Sequence, residues 1–269
     1  MDIVITVTAA PKSQDLLLDA AAALQRDVNG ALEFRWLAEG EAMDLILQGG
    51  EPPSSPAEEG TADLSRLRQL VAETIGDRPL DFCVQPGNGR KKRMLIADMD
   101  STIIGQECMD EMADLKGIKP EIAALTERAM RGELDFEEAL RERIRLLIGL
   151  TPADLQFVLH ERITLNPGAR TLVESMNAHG AHTVLVSGGF TFFSDAVAAR
   201  AGFAKSRANV FLWKDGRLAG VAEPILGREA KLTALKEEAA MQGLTPSSAI
   251  AVGDGANDLA MMKAAGLSV

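Results

Sequence analysis

Met94-Leu95-Ile96-Ala97-Asp98-Met99-Asp100-Ser101-Thr102 is a short apolar run that ends in two carboxylates and two hydroxyls. The segment Met94 to Ala97 is too short for a helix and follows a basic stretch, so it reads as a fully buried strand of an α/β sheet. In open α/β sheets ligands bind beyond the carboxyl ends of the strands, and Asp98 and Asp100 stand at that end. Two residues apart, they share one side of an extended chain. Carboxylates crowded in this way, with no base between them, need a cation or a shared proton. A hard, oxygen-binding ion such as Mg²⁺ satisfies them and brings a phosphate with it.

A calcium loop is excluded, because counting from Asp98 the sixth position is Ile103 rather than Gly and the twelfth is Met109 rather than Glu. An isolated Asp-x-Asp is equally compatible with a plain strand end carrying exposed acids. Here the motif has company. Ser187-Gly188 follows a second apolar run, Lys231 opens a helical segment, and Gly253-Asp254-Gly255-Ala256-Asn257-Asp258 follows a third run. Together these stretches resemble the four motifs of the haloacid dehalogenase superfamily of phosphatases, and within it the branch that acts on phosphoserine.

The bulk properties set outer bounds. A chain of 269 residues holds one large domain or two ordinary ones. Apolar residues make up 46%, enough for a sizeable core, and no apolar run reaches the roughly 18 residues of a membrane span. The formal net charge of −11 disfavours nucleic acid and anionic membranes as partners. An anionic small molecule must then be captured by local positive groups. With two cysteines, Cys83 and Cys108, and neither a basic nor a long apolar start, the expected location is the cytoplasm.

Residues 1–86 read as a small α/β unit. Ile3 to Val7 is strand-like; Ser13 stands where it can cap a helix from Gln14 to about Asp27, with Leu16, Leu17, Ala20 and Leu24 at helical spacing. Strands near Ala31–Leu37 and Ala42–Leu47 flank the turn Ala38-Glu39-Gly40-Glu41. A proline-bearing loop over 49–60, a helix over about Ala62–Ile75 and a strand over Leu80–Val84 complete the order βαββαβ of the ferredoxin-like fold. Such domains of the amino-acid-binding ACT type precede the catalytic part in some phosphoserine phosphatases, so the resemblance implies regulation or dimerisation. Ala9-Ala10-Pro11 stands where ACT ligand sites use a glycine-bearing turn, which favours a unit that stabilises or associates, including as a homodimer. Residues 87–93, with Gly87, Gly89 and the run Arg90-Lys91-Lys92-Arg93, read as a solvated linker rather than a nucleic-acid patch.

From 94 to 269 the pattern is that of a Rossmann-like parallel sheet, interrupted at about 103–165 by an insertion with almost wholly helical spacing. Helices are expected over Glu111–Leu115, Pro120–Met130, Asp135–Ile148 and Pro152–Arg162. Placed after the first strand of the sheet, the insertion sits over its active end as a cap. In the third helix Phe136, Leu140, Arg143 and Leu147 share one face, whereas Arg141 and Arg145 point away beside Glu138 and Glu142. Arg143 must find an anion or snorkel out, because an unpaired buried charge is costly. A carboxylate is a natural bidentate partner.

The family resemblance covers roughly residues 94–266 and extends to particular residues. It implies Asp98 as nucleophile, Asp100 as general acid and base, and Mg²⁺ held by the Asp98 carboxylate, the Asp100 backbone carbonyl and Asp254. It further implies Ser187, Gly188, Lys231 and Asn257 on the phosphoryl group, with Asp258 orienting Lys231 or the metal waters. Glu107 matches the position of the acid that takes the substrate amine, Arg143 that of the arginine on its carboxylate, and Met130 and Phe136 those of the apolar residues that close over it. The implied reaction is hydrolysis of O-phosphoserine, the last step of serine biosynthesis. A phosphatase or phosphotransferase for another small ester, such as phosphohomoserine, is the alternative within enzymes. An amino-acid-sensing regulatory protein is the alternative outside them.

Elsewhere, Pro167–His179 reads as a helix and Thr183–Val186 as a strand ending in Ser187-Gly188-Gly189, while Asn209–Trp213 and Arg217–Val221 form a hairpin. Arg228–Met241 reads as the helix of Lys231 and Ala249–Val252 as the strand before Gly253. His160, His179 and His182 lack metal-ligand spacing; Met109, Met112, Met261 and Met262 read as core filler; Cys108 has no matched base. After Val269 the family pattern continues with a further strand and helix.

Overall fold

The structure, a computed structural model, describes residues 2–49, 59–130, 133–227 and 229–269. The chain divides into two compact units, Met1–Arg90 and Lys91–Val269. The first contains β1 (Ile3–Ala9), α1 (Gln14–Asp27), β2 (Leu32–Ala38), β3 (Ala42–Leu47), α2 (Glu59–Ile75) and β4 (Leu80–Pro86). Its antiparallel sheet has the order β2-β3-β1-β4, which is the ferredoxin-like arrangement expected from the element order. Ile5, Val7, Leu17, Leu24, Met43, Leu45, Val71 and Val84 form its core. Ser13 does not cap α1 with its side chain: at φ −103°, ψ 32° it lacks the extended backbone an N-cap needs, and its amide is held instead by the Gly40 carbonyl. The proline-bearing loop lies at 50–58, outside the described residues.

Arg90 corrects the expectation of a wholly solvated linker. Its guanidinium is bidentate on Asp44, a β3 carboxylate with 0% exposure, and also donates to Thr6 Oγ1 at 2.8 Å. Thr6 Oγ1 donates to Asp44 at 2.9 Å, and Arg35 approaches at 3.3 Å. A carboxylate removed from water to this extent depends on its partners. Arg90→Ala should therefore destabilise the first unit by about 2–3 kcal/mol, read as a lower urea midpoint at unchanged slope.

The second unit is built on a parallel sheet. Its elements begin with β5 (Met94–Ala97), α3 (Cys108–Lys116), α4 (Lys119–Met130), α5 (Phe136–Leu147) and α6 (Pro152–Phe157), followed by α7 (Ala169–Ala178) and β6 (His182–Phe190). Then come α8 (Thr191–Ala201), β7 (Lys205–Asn209), the hairpin β8 (Phe211–Lys214) and β9 (Arg217–Val221), α9 (Ala230–Met241), β10 (Ala249–Val252), α10 (Leu259–Ala264) and β11 (Leu267–Ser268). The sheet order is β11-β10-β5-β6-β7, with β5 at the centre. All four β5 residues are 0% exposed. Leu95 and Ala97 join one apolar cluster and Met94 and Ile96 the other, so alternate side chains feed the two faces.

Several elements differ from the sequence reading. β6 continues through Ser187-Gly188-Gly189 to Phe190 instead of ending before them. The segment Asn209–Trp213 is not one strand; Lys205–Asn209 pairs with β6 at the sheet edge and Phe211–Lys214 belongs to the hairpin. Val158–Arg162, expected to continue α6, turns as a π-helix. α7 starts at Ala169, because Gly168 adopts φ +84° before it. The helices from Cys108 to Arg162 are joined to the sheet by two adjacent connectors, bridged at Ile104 and Leu165 and tied by Asn166 Nδ2 to the Thr102 carbonyl at 2.8 Å.

Candidate active site

The carboxyl ends of β5, β6 and β10 meet the cap helices around a cleft of about 570 Å³. Asp98 extends the β5–β10 pairing by one step, its amide donating to the Val252 carbonyl at 2.9 Å. The chain then turns sharply: the amides of Ile103 and Ile104 both reach back to the Met99 carbonyl, and Ser101 takes the left-handed φ of +53°. This turn presents Asp98 and Asp100 to the cleft and sends the chain into the cap.

Asp98 is 6% exposed and Lys231 4%. Lys231 Nζ lies 2.7 Å from Asp98 Oδ2 and 2.7 Å from Asp258 Oδ1. Burial pushes the Asp98 carboxyl up to about 7, opposed by Lys231 and reinforced by Asp258. Burial likewise raises Asp100, whose Oδ1 accepts the Cys108 amide at 2.9 Å and whose Oδ2 lies 3.4 Å from Ser187 Oγ. The Cys108 thiol is pushed well above its usual range, by burial first and then by Asp100, which leaves it without nucleophilic character.

Asp98, Asp254 and Asp258 can each bring a carboxylate oxygen to within 4.8 Å of the others. Three acids around one lysine leave negative charge uncompensated, a donor set that fits a hard divalent cation. Asp258 is already engaged on both oxygens, by Lys231 and by the Gly255 amide at 3.1 Å. The Asp100 side chain stands outside this group. Thr102 Oγ1 fixes Asp254 at 2.8 Å.

Gly253 is required by close approach. A Cβ there would stand 2.4 Å from Asp258 Cγ. Gly253→Ala should displace Asp258 and with it Lys231, costing about 1–3 kcal/mol of stability and more than tenfold in turnover, read by thermal melting and phosphate release.

Across the cleft stands the cap. Glu107, Phe136 and Arg143 line it, as do Gly188, Asp254 and Asn257. Desolvation lowers the Arg143 guanidinium pKa, with Asp110 and Glu107 as its charged neighbours, and its Nε donates to the Ala139 carbonyl at 3.3 Å. Glu107 is raised, mainly by desolvation, and accepts Ser101 Oγ at 2.6 Å. Phe136 closes over the glycine loop: a Cβ on Gly188 would meet its Cζ at 3.2 Å. Arg141 and Arg145 pair on the surface, Arg141 with Glu137 and Glu223 and Arg145 with Glu142. The Met130 side chain lies outside the described residues.

Sequence reasoning missed Asp110, Met109 and Asn209. Asp110 stands in the first turn of α3, three residues after the extended Glu107, and lines the cleft with it. Met109 lines the cleft and is not only core filler. The histidines are satisfied locally, His182 by Glu238 at 3.0 Å, His160 by Gln156 at 2.9 Å and His179 by the Ser175 carbonyl at 2.8 Å.

Known proteins share this arrangement. The family model described as haloacid dehalogenase-like hydrolase matches residues 95–263. A phosphoserine phosphatase of Albidiferax ferrireducens is 49% identical over 183 residues, 66% of this chain and 77% of that protein. Among solved structures, a haloacid dehalogenase family hydrolase from Salmonella enterica serovar Typhi superposes with a TM-score of 0.79 at 30% identity, covering 99% of this chain and 88% of that one. A phospho-aspartyl intermediate analogue of phosphoserine phosphatase gives 0.61 at 36% identity, covering 66% and 86%. The match spans the sheet, the cap and the acids at the strand ends, and on it the chain belongs to the haloacid dehalogenase-like hydrolases.

Proposed function

We propose that this chain hydrolyses O-phosphoserine to serine and phosphate, with the phosphoryl group carried on Asp98, as the closing step of serine synthesis. The observation that carries the substrate is that Glu107 and Arg143 both line the cleft that also contains Asp98 and Asp100. A group bearing both an amine and a carboxylate finds opposite charges there. The names of the similar proteins support the same ester.

Asp98 attacks phosphorus in line, splitting one difficult transfer into two. Asp100 gives its proton to the departing serine oxygen and then takes one from the water that opens the acyl phosphate. Burial favours the protonated form this first step requires, and the Cys108 amide aims the carboxyl. Lys231, Ser187 and the glycine amides receive the equatorial oxygens, with Asn257 beside them. Phe136 covers the substrate and excludes water. Asp98, the Asp100 backbone carbonyl and Asp254 would hold Mg²⁺, which would supply positive charge at the phosphoryl oxygens. Asp258 holds Lys231 in place.

We place the protein in the cytoplasm, in keeping with two free thiols, Cys83 and Cys108. The first unit is assigned a stabilising or associating role, as a homodimer. Among the described residues no helix is long and apolar enough to cross a membrane.

The substrate assignment is tested by comparing phosphate release from phosphoserine and from phosphoethanolamine, which lacks the carboxylate. Phosphoserine should lead by about ten- to a hundredfold in kcat/KM. Equal values would remove Arg143 from substrate recognition.

A further inference from the structure

β6 and β7 pair in step from Val184 with Lys205 to Val186 with Arg207, and the next pair is Phe190 with Asn209. Four steps along β6 thus face two along β7, and the surplus chain at Ser187-Gly188-Gly189 bulges out of the ladder. A bulge leaves backbone groups without ladder partners, and buried ones must be satisfied elsewhere. Asn209 does this at the Gly188 carbonyl, to which its Nδ2 donates at 2.9 Å.

The other end of the same amide is also occupied. Asn209 Oδ1 accepts the Leu226 amide at 2.7 Å, and the side chain is 3% exposed. The two partners fix the amide orientation, since a carbonyl demands the NH₂ and an amide demands the oxygen. Leu226 and Gly227 line the same wall as Ser187, Gly188 and Lys231, and they lead into α9, whose first turn carries Lys231. One buried side chain therefore spans the glycine loop and the approach to the lysine helix.

We infer that Asn209 is a positioning residue for the phosphoryl site, setting the separation between the Gly188 loop and Lys231. This deepens the phosphatase reading and rests on it. Asn209 sits behind the loop, so its effect falls on any phosphate, whatever its organic part.

Asn209→Asp keeps the acceptor for Leu226 and places a second oxygen against the Gly188 carbonyl. Inorganic phosphate binding to the full chain, measured by calorimetry in Mg²⁺ buffer, should weaken about tenfold in this variant. The kcat/KM values for phosphoserine and for an aryl phosphate should fall together by a similar factor. A lower folded fraction would reduce signal without changing affinity, so the dissociation constant separates placement from stability. Asn177 is the control: it bridges the Gly202 carbonyl and Thr183 Oγ1 at 2.7 and 2.9 Å away from the cleft, and Asn177→Ala should lower the melting temperature while leaving phosphate affinity unchanged. If Asn209→Asp does not fold, Asn209→Ser is measured in its place. Wild-type phosphate affinity in either folded variant, or failure of both to fold, would overturn the inference. A wild type that binds phosphate but hydrolyses neither ester would instead sink the phosphatase reading and leave the positioning role standing.

Discussion

Asp98→Asn should abolish phosphate release, by about 10⁴-fold or more in kcat, while the protein stays folded. The amide keeps the shape of the side chain and can still accept the Met99 amide, which Asp98 Oδ1 receives at 2.8 Å. What it loses is nucleophilicity. Asp100→Asn should fail differently, slowing both formation and breakdown of the intermediate, because one proton must be given and another taken. Rapid-quench kinetics read the two steps separately. Turnover by Asp98→Asn within tenfold of wild type would move the nucleophile to another residue.

Arg143→Ala should lose about ten- to over a hundredfold in kcat/KM for phosphoserine, the equivalent of roughly 1.5–3 kcal/mol for a charge-assisted contact. Hydrolysis of an aryl phosphate, which has no carboxylate, should be nearly untouched. The native guanidinium is largely desolvated in the cleft, with Asp110 and Glu107 as charged neighbours that favour its charged form. Arg141→Ala is the internal control: its pairing with Glu137 and Glu223 lies on the surface, and neither substrate should respond. Equal losses on both esters in Arg143→Ala would mean that the arginine holds the cap or the phosphoryl group.

The contrast between these two arginines was visible in the sequence, because helical periodicity is local and α5 runs over Phe136–Leu147 as the spacing predicts. β5 was equally legible. A strand buried on both faces has no polar residue to blur it, and its polar end marks the rim of the sheet. Lys231 stood out because a cation in the first turn of a helix opposes the helix dipole. The structure resolves that tension with two carboxylates at 2.7 Å.

What the sequence concealed depends on contacts distant along the chain. β7 is Lys-Ser-Arg-Ala-Asn, an edge strand whose polar pattern gives no strand signal; its Lys205 and Arg207 serve Glu238 on α9. α8 is apolar over most of its surface, so its period is weak. Arg90 looked solvated because its partner, Asp44, lies 46 residues away. The role of Asn209 follows from the register shift in β6, which only the paired strands display.

The most direct test of the account is the chemistry at Asp98 itself. Full-length protein turning over phosphoserine is quenched in acid within the first cycle, treated with borohydride to reduce any acyl phosphate, and digested with trypsin. The account predicts reduction of Asp98 alone, to homoserine, in the peptide Met94–Lys116. Phosphate on Ser101, Ser187 or another side chain, or steady hydrolysis with Asp98 never modified, would contradict it.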